Sequence, residues 1–525
     1  MLAAVLGSGI VFLDGTIVNL ALAPIGRELP ATFLGVLDGQ AYIVSGYLAV
    51  LAALLIIAGA LADYYGRRRI FAVGLAGFGA SSLLCGIAPS LEFIVLARIL
   101  QGAAGALLVP GSLSIITATF EGPARARAFG IWASATSGLT LFGLPIGGLI
   151  VETLSWRVAF LINVPLVALA LWATIRHMPE TRDPEASRTF DWLGAFVGAI
   201  AIGGLAFGAI RGQQENWHDP LAFAALAVGF VALVAFPVLM KLNPHPLVPL
   251  SLFRNRTFAV INLATFLIYG ALYAAFLYQA LLLQGTLGYS SLAFGLSGFP
   301  GGILLTTLSA RVGPLAGRIG ARPFLVAGPI LMAAGQLWWS RIPATSAPWR
   351  ANLQDVASLI PPVSFFTDVV PALLLFGVGI SLVVAPLTST LMSSIPVRSA
   401  GLGSAINNAL SRVGQPLLGA VIFVLVSATF YAGLASRVPG LNPSDPDVRA
   451  TLPPLNPPKK PVSPEIAAAD KEASVDAFHV AALINVVLLG SGAMVTFVGL
   501  REGRPRRQEE AAAEKETDRV VAPGP

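Results

Sequence analysis

The chain has 525 residues, of which 55% are hydrophobic and only 11% are charged, and its mean hydropathy is +0.77. Soluble globular proteins carry about 25% charged residues, so the composition excludes a water-soluble globular protein. The net charge of +6 could indicate nucleic-acid binding. In so apolar a chain we interpret it as loop charge that orients membrane helices, and we expect no nucleic-acid partner.

Apolar stretches that are long enough to cross a bilayer as helices recur from end to end. We predict fourteen spans, at residues 2–24, 40–60, 70–88, 92–118, 126–151, 157–176, 191–211, 219–240, 258–284, 291–312, 322–341, 369–393, 400–434 and 477–499. The first is interpreted as a retained helix, because no basic segment precedes it and Asp14 interrupts it. Backbone groups in lipid must bond within their own segment, and the span lengths indicate helices rather than a strand barrel.

The distribution of basic residues predicts the orientation. With the N-terminus inside, the short inner loops and the tail carry 21 of the 33 Lys and Arg residues, whereas the outer loops carry 10. We therefore expect a multi-pass protein of the cell membrane with both termini cytoplasmic. The segment 435–475, rich in proline and charge, is predicted to be an extracytoplasmic loop, and 501–525 a cytoplasmic tail.

A charged turn and its repeat divide the chain. The stretch GALADYYGRRRIFAVG (59–74) matches GPLAGRIGARPFLVAG (313–328) at a constant offset of 254 residues. The offset fits a duplicated six-helix unit with two further helices between the copies, which is a transporter architecture. We predict an N-terminal half at 1–176, a linker with two helices at 177–257 and a C-terminal half at 258–500.

The pattern Gly59-x-x-x-Asp63-x-x-Gly66-Arg67-Arg68 resembles the signature loop of the major facilitator superfamily, although Tyr64 stands where the superfamily usually has a basic residue. LDGTIVNLAL (13–22), LARILQGAAGAL (96–107) and AGLGSAINNALSRVGQPLLG (400–419) resemble its fourteen-helix drug:proton antiporter family. The resemblance implies an all-α integral membrane protein with the major facilitator fold. It also implies that the loop is a conformational latch between the halves; the alternative is a positive-inside anchor only.

The fifth span departs from the antiporter pattern. The family has Gly-Pro-x-x-Gly-Gly there, whereas this chain has Gly143-Leu-Pro145-Ile-Gly147-Gly148, with the proline displaced by one residue. A proline kinks a helix and glycines allow close packing, so the antiporter role and ordinary glycine packing both remain open.

Asp14 is the only acidic residue near the middle of a span. A lone carboxylate in the membrane is costly, which suits a group that loads a proton or meets a cationic substrate. The alternative is a packing role through Thr16 or Asn19. Arg98 lies early in the fourth span, and the resemblance implies a role in proton coupling; pairing with Glu92 is the alternative.

Aromatic, amide and basic side chains within the spans are candidates for a substrate cavity. They are Tyr42, Tyr47, Trp132, Tyr269, Tyr273, Gln279, Asn407, Asn408 and Arg412. Broad pockets use aromatic faces and adaptable polar contacts. Contact with lipid, or hydrogen bonds that join helices, would explain the same residues.

The function predicted is antiport, with protons moving inward and a lipophilic or cationic small molecule moving outward. No phosphate-binding loop or metal-ligand spacing is present, so we expect no enzyme activity, no cofactor and the proton gradient as the energy source. Export of an endogenous lipid, siderophore or metabolite, uptake rather than export, and a non-transporting sensor or scaffold remain alternatives. An envelope-spanning adaptor is also left open.

Overall fold

The computed structural model describes residues 1–30, 36–181, 190–214, 217–458 and 460–500. The regular elements in these ranges are α-helices and short 3-10 or π-helical turns. The α-helices are α1 (Leu2–Glu28), α2 (Val36–Tyr65), α3 (Arg67–Gly86), α4 (Leu91–Ala106), α5 (Leu108–Thr119), α6 (Gly122–Thr153), α7 (Trp156–Leu161), α8 (Asn163–His177), α9 (Trp192–Gln214), α10 (Pro220–Leu242), α11 (Arg256–Ala280), α12 (Ser291–Ser297), α13 (Phe299–Ile319), α14 (Arg322–Trp339), α15 (Val370–Ser393), α16 (Ala400–Arg437), α17 (Pro446–Thr451) and α18 (Pro464–Gly499).

The described part of the chain contains 11 helical segments that are long and apolar enough to cross a membrane, or 12 if the bent first helix counts as one span. Each of the fourteen predicted spans overlaps a described helix. The span predicted at 92–118 is divided into α4 and α5, and a proline explains the break. Pro110 lacks a backbone N–H donor, and its ring crowds the carbonyl of Ala106. α4 accordingly ends at Ala106.

Helix caps fix where the site-bearing helices begin. The Ser90 side chain accepts a hydrogen bond from the Phe93 N–H and starts α4, and Asn255 caps α11 in the same way through the Phe258 N–H. At the far end of α1, the indole N–H of Trp156 donates to Glu28 Oε2 at 2.6 Å, and Arg157 pairs with the same carboxyl. These two partners lower the pKa of Glu28 below its ordinary value and join α1 to α7.

The internal repeat is visible in the backbone. Gly66 and Gly320, which the offset of 254 residues relates, both have positive φ, 110° and 94°. Such a conformation favours glycine, because a side chain would be strained there. The related pair Gly59 and Gly313 lies where one half of the molecule packs on the other. We call this end, which carries both loops, the inner end, following the predicted orientation.

The two extra helices lie beside the halves. α9 and α10 pack closely through Gly204 and Gly229, since a Cβ on either would lie within 3 Å of the partner backbone. Gly203 of α9 packs on Ala53 of α2, and Gln213 donates to the Pro416 carbonyl of α16 at 3.0 Å. The pair of helices therefore contacts both halves.

The segment predicted as the loop 435–475 is shorter than expected and partly buried. α16 continues to Arg437 and α18 begins at Pro464. Between them, Leu452 and Leu455 are buried against the outer end of the C-terminal half, together with Trp349. Proline and charge indicated exposure, but the spaced leucines provide an apolar face that packs.

Candidate functional site

A buried ion pair lies inside the N-terminal half. Arg98 Nη1 lies 2.5 Å from Asp14 Oδ2, and both residues are 1% exposed. The pair joins α1 to α4, and Arg98 Nε also donates to the Ile43 carbonyl of α2 at 3.1 Å. The predicted alternatives for these two residues are not what is observed: Arg98 pairs with Asp14, and Thr16 donates to the Leu13 carbonyl of its own helix. The Asn19 side chain lies outside the described residues.

Neutral amides complete the coordination of the Asp14 carboxylate. Oδ1 accepts from Gln101 Nε2 at 3.1 Å and from Asn163 Nδ2 at 3.0 Å, while Gln101 Oε1 accepts from Arg98 at 2.7 Å. Asn163 also donates to Ser82 Oγ at 3.1 Å, which links the network to α3. Removing charges from water costs several kcal/mol per ion, and hydrogen bonds of this kind offset the cost.

Tyr47 belongs to this network rather than to a substrate cavity. The guanidinium carbon of Arg98 lies 4.0 Å from the centre of its ring, and the side chain is 2% exposed. Its hydroxyl has no hydrogen-bond partner in the described structure. The ring is therefore a cation–π partner of the Arg98 guanidinium.

The glycine-rich helix predicted as the antiporter element lies directly against Asp14's helix. A Cβ added to Gly143 would lie 2.8 Å from atoms of Leu13 and Thr16, and one added to Gly147 would lie 2.8 Å from Ile17. α6 and α1 can thus approach closely on either side of the carboxylate. The surroundings of Pro145 and Gly148 lie outside the described residues, so the predicted kink remains a prediction.

A second buried ion pair holds the inner end. Asp63 Oδ1 accepts from Arg67 Nε at 3.0 Å and Nη2 at 2.9 Å. The same carboxylate accepts from the backbone N–H groups of Gly401 and Leu402, at 3.2 and 2.9 Å, in the first turn of α16. An acidic group at a helix N-terminus meets unsatisfied donors and the positive end of the helix dipole.

Close packing surrounds this ion pair. A Cβ on Gly59 would lie 2.4 Å from both Gly401 O and Ala405 Cβ, and Arg67 donates to the Val397 carbonyl at 2.5 Å. Of the predicted latch residues, Gly59, Asp63 and Arg67 thus bridge the N-terminal half to the C-terminal half, whereas Gly66 packs against Glu180 of the N-terminal half. Arg68 faces away from the bridge and donates to the Ile175 carbonyl of α8 at 2.8 Å.

Only some of the predicted cavity residues come together. The Arg412 guanidinium carbon lies 5.9 Å from the Tyr273 ring centre and 5.7 Å from that of Phe12, across the two halves, and Tyr269 lies 6.2 Å from Tyr273. All four are half-buried, as expected for a lining between the halves.

The other candidates lie elsewhere. Trp132 donates to Ser8 inside the N-terminal half, and Tyr42 bonds Arg211 of α9. Asn407 joins α16 to α11 through Asn262 and Thr265, and Asn408 donates to the Ser404 carbonyl of its own helix. Gln279 is buried, with its Nε2 unpartnered in the described structure. Asn407 thus fits the helix-joining alternative.

Sequence reasoning missed Asn163 and Ser82 as members of the charged network. A signal existed for Asn163, since an amide inside an apolar span needs a partner. Gln101 stood within a quoted motif but was given no role of its own. Ser82 carried no such signal, because a serine can bond its own helix backbone.

Comparisons with known proteins agree with this architecture. A family model described as Major Facilitator Superfamily matches residues 4–420. The multidrug resistance protein Stp of Mycobacterium tuberculosis is 32% identical over 84% of this chain and 78% of its own length. The tetracenomycin C resistance and export protein of Streptomyces glaucescens is 30% identical over 95% of this chain and 88% of its own.

Among solved structures, the human organic anion transporter MFSD10 superposes with a TM-score of 0.55 at 16% identity, covering 93% of this chain and 98% of that one. At this identity the likeness concerns the fold alone. The paired halves, the repeated inner loop and the sequence relatives establish that the chain is a multi-pass membrane protein and belongs to the major facilitator superfamily.

Proposed function

We propose that the protein exports lipophilic or cationic small molecules across the cell membrane in exchange for protons. The observation that carries the proposal is the buried Asp14–Arg98 pair, held by amides from α4 and α8. A carboxylate in such a place is expected to serve a function, because an apolar side chain would fill the same space with a smaller desolvation free energy.

Protonation of Asp14 would remove the attraction that holds α1 to α4. Arg98 would keep the Ile43 carbonyl, Gln101 and the Tyr47 ring, so it need not leave its place. The element free to respond is α1, which also packs on α6 through Gly143 and Gly147. Proton binding would thereby change the packing between helices of one half, which is the differential interaction that a conformational shift requires.

The latch would set which side is closed. In the described state Asp63 and Arg67 join the halves at the inner end, which the predicted orientation makes cytoplasmic. Opening that end would require both the ion pair and the α16 N–H groups to find other partners. We place substrate between the halves near Arg412, Tyr273 and Phe12, where an aromatic lining meets a cation.

Export rather than uptake is supported by the relatives, whose names concern drug resistance and, for one, export of tetracenomycin C. Protons, the bilayer and the small-molecule substrate are the partners that this function needs, and the proton gradient supplies the energy without a cofactor.

The test uses inverted membrane vesicles that contain the protein, with ethidium and tetracenomycin C as probes. An imposed gradient should drive uptake of at least one probe, and a protonophore should abolish it. Vesicles from cells with an empty vector provide the background. Probe transport that persists in the protonophore would reject proton coupling, and no transport of either probe would redirect the proposal to an endogenous cargo.

A further inference from the structure

The last turn of α9 lies between the two halves of the molecule. α9 runs outward from the linker at the inner end, so this turn is at the end opposite to the latch. Arg211 donates through Nη1 to the hydroxyl of Tyr42, near the start of α2 in the N-terminal half. Gln213, two residues further, donates through Nε2 to the Pro416 carbonyl of α16 in the C-terminal half, at 3.0 Å. One helical turn therefore bonds both halves.

Both donor side chains are held by a further contact within the pair of extra helices. The guanidinium of Arg211 forms an ion pair with Asp219, the residue that caps α10. Gln213 Nε2 also donates to the Ala209 carbonyl of its own helix, at 3.1 Å. Gly419 of α16 packs beside the amide, since a Cβ there would lie 3.4 Å from Gln213 Oε1. The two side chains are thus oriented by α9 and α10 and reach outward to the halves.

The contact with α16 falls where that helix is interrupted. Pro416 lies inside α16 and has no N–H, so it cannot donate to the Arg412 carbonyl as the same position of a regular helix would. Gly401, which bonds Asp63 in the latch, lies fifteen residues earlier in the same helix, or about 22 Å away along its axis. Gln213 therefore braces the middle of the helix whose first turn carries the latch.

α9 is attached to α2 at two levels along its length. A Cβ on Gly203 would lie 2.9 Å from the Ala53 methyl group, and Arg211, eight residues further along α9, bonds Tyr42. Contacts about 12 Å apart fix the direction of α9 relative to α2. Gln213 reaches α16 through a single side-chain amide. When the halves rotate against each other, α9 should therefore move with α2, and the bond to α16 is the contact that breaks.

We propose that Arg211 and Gln213 are positioning residues that clasp α2 to α16 and stabilise the state in which the inner end is closed. The proposal rests on the exchange between inner-closed and inner-open states that the proposed function requires. A contact made in only one of two states shifts the equilibrium towards that state, and its removal shifts the equilibrium away. Weakening the clasp should therefore open the inner end more often, although the substituted residues lie far from the latch.

Labelling of the inner end measures this equilibrium. Ala405 is buried beside Gly59 in the latched state, so Ala405→Cys should react slowly with a membrane-impermeant maleimide in inverted vesicles. The native Cys85 stays in place because it is buried. Adding Gln213→Met, which keeps the side-chain length and removes the donor, should raise the labelling rate about fivefold, as expected for one hydrogen bond. Gln354→Met makes the same change at an exposed outer residue and should leave the rate unchanged. Equal rates for the two variants would overturn the proposal.

A conservative variant separates the lost bond from a general loosening of the helices. Gln213→Lys restores an N–H donor on a side chain of similar length, and it should return labelling towards the rate of Ala405→Cys alone. Labelling as fast in Gln213→Lys as in Gln213→Met would assign the effect to packing and overturn the proposal.

The other end of the clasp provides a second test. Tyr42→Phe removes the hydroxyl that accepts from Arg211 and should also raise labelling of Ala405→Cys about fivefold. Because either break releases the same clasp, Tyr42→Phe combined with Gln213→Met should label no faster than the faster single variant. A combined variant in which the two effects multiply would indicate two independent contacts and overturn the proposal.

Failure of the clasp and failure of the proposed function give different results, because labelling does not depend on a transported probe. Absence of proton-driven uptake by the wild-type protein would reject the proposed function. Labelling of Gln213→Met at the rate of the Gln354→Met control would reject the clasp alone.

Discussion

At the scale of single residues, the Asp14–Arg98 pair is sustained by neutral neighbours. Burying two opposite charges does not by itself stabilise a fold, and removing one partner of such a pair costs about 3–5 kcal/mol. Here Gln101, Asn163 and the Tyr47 ring surround the charges. Each of these neighbours makes a different contact with the ion pair, so its contribution to transport can be tested by a single substitution.

Asn163→Ala should lower proton-driven transport. The substitution removes one of the hydrogen bonds donated to the Asp14 carboxylate. A hydrogen bond to a charged group contributes about 1.5–3 kcal/mol, so we expect the initial rate of probe uptake to fall at least about tenfold. Initial rates measured at matched expression test this. An unchanged rate would remove Asn163 from the coupling network.

Tyr47 should act through its ring and not through its hydroxyl. Because the hydroxyl has no partner in the described structure, Tyr47→Phe should transport at nearly the wild-type rate. Tyr47→Leu loses the cation–π contact, worth about 2 kcal/mol in a desolvated site, and should lower the rate at least about tenfold. The two variants, compared at equal expression, control for each other. A large loss in Tyr47→Phe would instead point to a role for the hydroxyl.

Sequence reasoning found the charged residues but not their partners. Asp14 and Arg98 were identified because an ionisable group inside an apolar span is costly and requires a partner or a function. Their contact joins positions 84 residues apart, and helix periodicity carries no information about such a distance. Tyr47 was assigned to a cavity because its contact with Arg98 could not be predicted from the sequence. An aromatic residue in a span can face lipid, a cavity or another side chain.

At the scale of helices, the contact between α2 and α16 depends on paired glycines. Gly59→Ala should weaken closure of the inner end, because the new methyl group would overlap Gly401 O and Ala405 Cβ. Overpacking of this kind costs about 1–3 kcal/mol. Transport should fall while insertion is retained. Gly490→Ala in α18 is the control, since a Cβ there meets no atom within 4 Å in the described structure. Equal transport by both variants would contradict the close packing.

Asp63→Asn separates the latch from an orientation anchor. An asparagine has one acceptor oxygen in place of two and no charge for Arg67, so the bonds to α16 weaken. We expect transport to fall at least about tenfold, with membrane insertion unchanged. Asp447→Asn, an exposed carboxylate in the outer segment, serves as the control. Wild-type transport by Asp63→Asn would reduce the loop to an anchor.

Most helix positions were predictable to within a few residues, because lipid imposes both length and composition. The last span was predicted to begin at residue 477, but α18 begins earlier, at Pro464. The breaks within spans and the packing of the outer segment between α16 and α18 were harder to predict. The break between α4 and α5 follows from Pro110, because the effect of a proline on its own helix is local. The packing of Leu452 and Leu455 depends on a surface supplied by Trp349 and its neighbours, which composition does not reveal.

At the scale of the whole molecule, the two halves are related but not equivalent. Gly59 and Gly313 make matching close contacts with the opposite half, and the former is reinforced by Asp63 while the latter is not, since Gly317 stands at the related position. At the inner end, a charged contact therefore joins the halves on one side and small-residue packing joins them on the other.

Two transport modes, both measured in proteoliposomes, distinguish alternating access from proton coupling. Counterflow exchanges labelled for unlabelled probe and needs only alternating access, whereas accumulation against a gradient also needs proton coupling. We predict that wild-type protein and Asp447→Asn perform both, and that Asp14→Asn retains counterflow but loses accumulation driven by a pH gradient. Accumulation by Asp14→Asn at the wild-type rate would show that this carboxylate does not carry the proton.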